Sequence, residues 1–170
     1  MGMANDLLVD GFGRVRESVQ QAVEGLDEEA LAFRPDPDAN SVAWLVWHLT
    51  RVQDDHVADV AGAEQIWTAA GWVERFRLSF DVGTIGYGQS SEEVGRVRAT
   101  AEMLTAYQDA VHASTVRYLA TLDDGDYARV VDDRWDPPVT LAVRLVSVLN
   151  DATQHVGQAA YVRGMLDRRR

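Results

Sequence analysis

A chain of 170 residues with 46% hydrophobic content is long enough for one domain with a sizeable core. Its formal charge of −11 argues against nucleic-acid binding, which depends on a basic footprint. It has no cysteine, and all 16 basic residues are arginine, so disulfides, a thiol of its own and lysine Schiff-base chemistry are excluded.

The stretch Met1–Leu8 shows no basic, apolar signal pattern, and no run approaches the length of a membrane span, so a soluble cytoplasmic protein is expected. A first helix is predicted from about Ala4 to Gly25, where Leu8, Phe12, Val15, Val19 and Val23 recur at three and four residues. Gly11 and Gly13 each weaken it by about 1 kcal/mol relative to alanine, and Gly25 fits a stop. Residues 26–40 are a connection. Leu26–Phe33 offers a short helical turn before Pro35 and Pro37 end any helix.

A second helix is predicted from Asn40 or Ser41, both good caps, to Ala61, with Gly62 as its stop. Its inward stripe reads Trp44/Leu45, His48, Val52 and Asp55. Residues 63–90 are long for a connection, and Trp67, Trp72, Phe76 and Phe80 argue against disorder. This segment can cross a bundle, so the second and third helices are expected to run parallel. The third is predicted from Ser90–Ser91, where Ser90 and Glu93 have capping-box spacing, through Val94, Val97, Ala101, Leu104, Val111, Thr115 and Tyr118 to about Leu122. A fourth is predicted from Asp136-Pro-Pro138 through Leu141, Leu145, Val148, Ala152, Ala159 and Val162 to the Arg168–Arg170 tail. No strand alternation competes. The expected architecture is a single all-α domain over residues 1–170, a four-helix bundle with a long crossover between helices 2 and 3.

Asp151 and His155 stand four residues apart on the apolar face of the fourth helix, and His48 is placed similarly on the second. Burying an unpaired carboxylate is unfavourable by several kcal/mol, a problem that a cation removes. Two imidazoles and a carboxylate suit a divalent metal and leave a coordination position open. The competing reading is a simple hydrogen-bonded helix pair. His56, roughly 80° round the helix from His48, is a candidate rim contact, and Asp55 a candidate to orient a ligand or bind substrate. His112 and the Trp44/Trp47 pair read first as structural. No G-x-S-x-G motif supports serine hydrolysis, and Gly83-Thr-Ile-Gly-Tyr-Gly88 does not match a phosphate-binding loop.

The segments Ser41–His56 and Asn150–Gly164, the latter containing His155-Val-Gly-Gln158, resemble the DinB/YfiT-like superfamily. The closer likeness is to its actinobacterial branch, which includes mycothiol S-transferases. It extends to Leu7–Phe12 and Asp133–Pro138. The resemblance implies an up-down-down-up bundle and a divalent metal, zinc or nickel, held by three histidines in many members. His48 matches the first of these and His155 the last, while Asp151 stands where the remaining histidine commonly stands. A carboxylate there implies a harder, more anionic site.

The implied activity is conjugation of a low-molecular-weight thiol, mycothiol, to an electrophilic small molecule, as in detoxification. On that reading the electrophile lies against Trp47 or the crossover, and Arg51 and Arg163 are candidates to hold the polar part of the thiol. A homodimer is also implied. The alternatives are a mycothiol-dependent isomerase or metal-dependent hydrolase on the same scaffold, and a non-catalytic stress-response or binding bundle with a vestigial site.

Overall fold

The structure, a computed structural model, describes residues 2–169, so Arg170 of the predicted tail lies outside the described residues. In chain order the helices are α1 (Met3–Val23), α2 (Glu28–Leu31), α3 (Val42–Ala61), α4 (Ile66–Ala69), α5 (Trp72–Phe76), α6 (Ser91–Gly95), α7 (Ala101–Leu119) and α8 (Leu141–Asp167). A small antiparallel hairpin, β1 (Val130–Asp132) and β2 (Val139–Thr140), precedes α8.

The four long helices, α1, α3, α7 and α8, form the bundle, and their side-chain pairs give the directions. Thr50 bonds Gln108 and Gln53 bonds Thr115, so α3 and α7 run parallel. Asn5 reaches the Leu119 carbonyl and Arg16 pairs with Asp109, so α1 and α7 are antiparallel. His56 meets Arg144 and His48 meets His155, so α3 and α8 are antiparallel. The bundle is therefore up-down-down-up. Asn5 is wholly buried because its amide donates to the Leu119 and Leu122 carbonyls at the end of α7, groups that a helix C-terminus leaves unpaired.

Helix α3 is the spine. Ser41 caps it by accepting from the Trp44 N–H at 3.1 Å, and Gly62 ends it at φ 63°, in the left-handed region that favours glycine. Every residue from Ser41 to Asp54 is buried, so α3 is enclosed all round rather than on one stripe. The crossover supplies the additional cover. Trp67, Trp72 and Phe76 of α4 and α5 cluster with Tyr107 of α7 at ring separations of 5.3–6.2 Å. The predicted disposition of the second and third helices about a structured crossover is thus realised.

Two predicted boundaries are corrected. The helix expected over residues 90–122 is broken. The Ser90–Glu93 capping box starts α6 as expected, but residues 96–100 leave the helix. Val97 and Ala99 are buried while Arg96, Arg98 and Thr100 are exposed, which is the alternation of extended chain. Thr100 then caps α7 through the Met103 N–H. The last helix begins at Leu141, capped by Thr140, and Asp136-Pro-Pro138 belongs to the hairpin loop instead of a first helical turn. β-branched Val130, Val131, Val139 and Thr140 favour the short ladder over helix. Among the described residues no helix is long and apolar enough to cross a membrane.

Candidate metal centre

Helices α3 and α8 bring His48, Asp151 and His155 together, with one candidate ligand atom from each lying within 4.8 Å of the others. His48 is 2% exposed and the other two are half-buried. The His48 Nδ1–H donates to the Ile85 carbonyl at 2.5 Å, which leaves Nε2 as the free lone pair. Burial pushes the His48 pKa below its ordinary value, against the smaller opposing effect of the Ile85 bond. His155 Nδ1–H donates to Gln158 Oε1 at 2.9 Å, and its Nε2 lies 3.5 Å from Asp151 Oδ1. That carboxylate, more than the loss from burial, raises the His155 pKa.

Asp151 Oδ2 is buried and has no hydrogen-bond partner among the described residues. A carboxylate oxygen in that state costs about 1–3 kcal/mol or more unless something positive meets it. The second oxygen is not used by the helix pair, so a simple Asp–His hydrogen bond accounts for only half of the group. Two imidazoles held in one tautomer and an oxygen lacking a partner form a donor set suited to a divalent cation.

The surrounding wall comes from two places. Trp44, one turn before His48 on α3, stacks on its ring at 4.6 Å and meets His155 in a T-shaped arrangement at 6.4 Å. Its indole N–H is held by Gln89 at 2.7 Å. From the crossover, Tyr87 meets His48 edge-on at 5.2 Å. Between them, Gly86 is buried at φ 110°, and a Cβ there would collide with the His48 ring. The glycines at 83–88 are therefore tied to the site through His48, not to a phosphate.

Two clefts lie beside the triad, one lined by its Asp151 and the other by Gln158, the partner of His155. One, of about 490 Å³, is lined by Asp151, Asn150, Arg144, Asp132, Trp135 and Tyr87. The other, of about 660 Å³, is lined by Leu45, Tyr161, Val162, Met165 and Gln158. Gln154 borders both. In the first cleft Asp132 is held by Arg134 at 2.8 Å and by Arg144 at 3.2 Å, and the Arg134 bonds keep its carboxyl far below the usual range.

The other residues singled out in the sequence are placed elsewhere. Trp47 is not at the triad: it is 1% exposed and packs on Trp67 and Phe80 in the core. Arg51 is 0% exposed, and its guanidinium faces the crossover, bonding Gln65, Tyr107 and the Thr84 and Val82 carbonyls, so it does not reach the open clefts. Arg163 bonds the Gln21 carbonyl of α1 and pairs loosely with Asp167, away from the triad. These placements share one physical reason. Spacing along a helix gives the face of a side chain but not which neighbour covers that face.

His56 lines the first cleft, where its Nδ1 accepts from Arg144 at 3.0 Å. Asp55 accepts from Gln65 at 2.7 Å. His112 lies beside Arg16 and Asp109 on the α7 side. The sequence gives no role at the site to Ile85, Gly86, Tyr87 or Gln158. Gln158 was open to detection, since it stands one turn after His155; a backbone carbonyl such as that of Ile85 leaves no trace in residue types.

A family model described as mycothiol S-transferase matches residues 7–168. Among solved structures, a conserved protein from Enterococcus faecalis is similar, with 31% identity, a TM-score of 0.89 and coverage of 96% of each chain. No curated protein matches. The family match reaches all four bundle helices and includes all three residues of the triad, and the chain belongs to the mycothiol S-transferase family.

Proposed function

We propose that the protein is a divalent-metal-dependent S-transferase that joins a low-molecular-weight thiol, mycothiol, to an electrophilic small molecule. The observation that carries this reading is the buried Asp151 Oδ2 without a partner among the described residues, in a carboxylate grouped with two oriented imidazoles. His48, Asp151 and His155 would hold the cation, with zinc the best fit to this nitrogen and oxygen set. A cation there supplies Lewis acidity that lowers the pKa of an arriving thiol, chemistry that a chain without cysteine or lysine cannot supply itself.

The remaining work falls to the chain's own side chains. Ile85 fixes the His48 tautomer, Gln158 fixes that of His155, and the Trp44 ring covers the inner side against water. The polar cleft beside Asp132, Arg144 and Asn150 suits the polar part of the thiol. The more apolar cleft at Leu45, Tyr161, Val162 and Met165 suits the electrophile. Sulfur bonds to the electrophilic carbon, the leaving group departs with the electron pair of the broken bond, and the thiol proton passes to water through the polar cleft.

Zinc-loaded protein incubated with mycothiol and a halogenated aromatic should consume one thiol per conjugate formed, read by thiol titration and product mass. Regeneration of the thiol with an isomerised product would make it an isomerase, and turnover without thiol a hydrolase; either overturns the transferase reading.

Zinc binding should also depend on pH with a defined sign. Asp151 raises the His155 pKa while burial lowers that of His48, so as pH falls His155 is the first of the two to take up a proton that competes with the cation. Apparent affinity therefore falls about tenfold per unit as pH drops through the raised His155 pKa. Chelator competition between pH 6 and 8.5 reads this slope, and a flat profile contradicts it.

A further inference from the structure

We infer that Arg51 is a positioning residue for the metal centre: it clamps the end of the crossover onto α3 so that the Ile85 carbonyl meets His48. This rests on the metal reading of the triad. Arg51 stands three residues after His48 on α3 and is wholly buried. Its fork reaches both ends of the crossover. Nη1 donates to Gln65 Oε1 at 2.8 Å, at the entrance; Nε donates to the Thr84 carbonyl at 3.3 Å and Nη2 to the Val82 carbonyl at 3.5 Å, at the exit. Thr84 is joined directly to Ile85, whose carbonyl holds His48 Nδ1. The path from guanidinium to metal ligand is thus one residue of chain.

The clamp is itself held. Asp54 lies 3.7 Å from Arg51 Nη1, and its two oxygens accept from the Ile66 and Trp67 N–H groups and from the Tyr107 hydroxyl. Trp67 lies under the guanidinium at 4.8 Å. A buried ion pair is weak evidence for stability, because apolar residues of like volume often serve as well. What an apolar residue cannot do is donate at once to carbonyls at both sides of a loop. Among the described residues the exit of the crossover has no strand partner, so its carbonyls need a forked donor, and arginine provides rigid, divergent N–H groups where lysine provides one point. Gly86 completes the arrangement, since the loop can lie on the His48 ring only where no Cβ intervenes.

The test compares wild type with Arg51→Lys, and with Leu145→Ala as a control in the separate core cluster around Phe12 and Leu141. Loss of an outer partner of a metal ligand weakens binding by about 10–100-fold, and that loss of zinc affinity is expected for Arg51→Lys. Leu145→Ala should lower the melting temperature yet leave zinc affinity within about twofold, because distant sites act independently. In metal-free protein, the His48 Nδ1–H proton should give a protected, downfield NMR signal in wild type that is lost in Arg51→Lys while helix content is kept. A lowered melting temperature with unchanged zinc affinity would make Arg51 a packing residue and overturn the inference. If wild type takes no zinc, the metal reading fails, and the clamp is judged by the NMR signal alone, whose persistence in Arg51→Lys overturns it. Should Arg51→Lys not fold, Gln65→Leu removes the clamp's side-chain partner at the entrance and should weaken zinc binding in the same direction; no change overturns the clamp.

Discussion

His48→Ala is expected to lose zinc affinity by more than about 100-fold, because removing even an outer partner of a ligand costs 10–100-fold and His48 would be a direct ligand. Its thiol-transfer rate should fall to the level of the uncatalysed reaction. The side chain is buried, is locked by Ile85 and stacks on Trp44, so no neighbouring histidine can take its place: His155 already faces the same point and His56 is engaged by Arg144. The variant also loses packing, so stability alone does not discriminate. The discriminating reading is the rise in melting temperature on adding zinc. A ligand at about 1,000 times its Kd stabilises the folded state by about 4 kcal/mol. Wild type should show that rise, and His48→Ala should melt at the same temperature with and without zinc.

Gly86→Ala should damage both the fold and the site. Its φ of 110° lies where only glycine is comfortable, and holding another residue there costs about 1–3 kcal/mol. The new Cβ would also strike the His48 ring, with Cγ at 3.1 Å, so either the loop lifts and withdraws Ile85 or the imidazole turns. Zinc affinity should fall by about 10–100-fold through the displaced ring. Gly88→Ala is the matched comparison. Its φ is 70°, but among the described residues no atom lies within 4 Å of the added Cβ. It should therefore cost about 1–2 kcal/mol of backbone strain and leave zinc binding unchanged. Equal effects in the two variants, by denaturant titration and chelator competition, would show that Gly86 acts only on the backbone.

The bundle was legible because its signals are local. Leu8, Phe12, Val15 and Val19 mark one face of α1 and are all buried; Ser41 and Gly62 mark the ends of α3. The break before α7 was not legible. Val94, Val97, Ala101 and Leu104 keep helical spacing straight through it, and only Thr100, an ordinary N-cap residue, hints at a restart. The hairpin was hidden because strands of three and two residues are too short to alternate detectably. In the site, His48, Asp151 and His155 were readable from helix faces. The Ile85 carbonyl and the destination of the Arg51 side chain were not, since both depend on how residues 63–90 lie across α3. Trp44 and Trp47 illustrate the same limit: three residues apart on one helix, one covers the triad and the other is core under Trp67.

Asp151 and His155 are expected to face inward because a cation sits between them and His48. Elemental mass spectrometry of protein purified without chelator or affinity-tag nickel tests it most directly, beside Asp151→Ala and His155→Ala. About one divalent ion per wild-type chain, lost in both variants, is the expected result for a site of three protein ligands. No metal in the wild type, even after soaking with zinc, would contradict the account and leave the pair as a helix-stabilising hydrogen bond in a bundle that binds without catalysing.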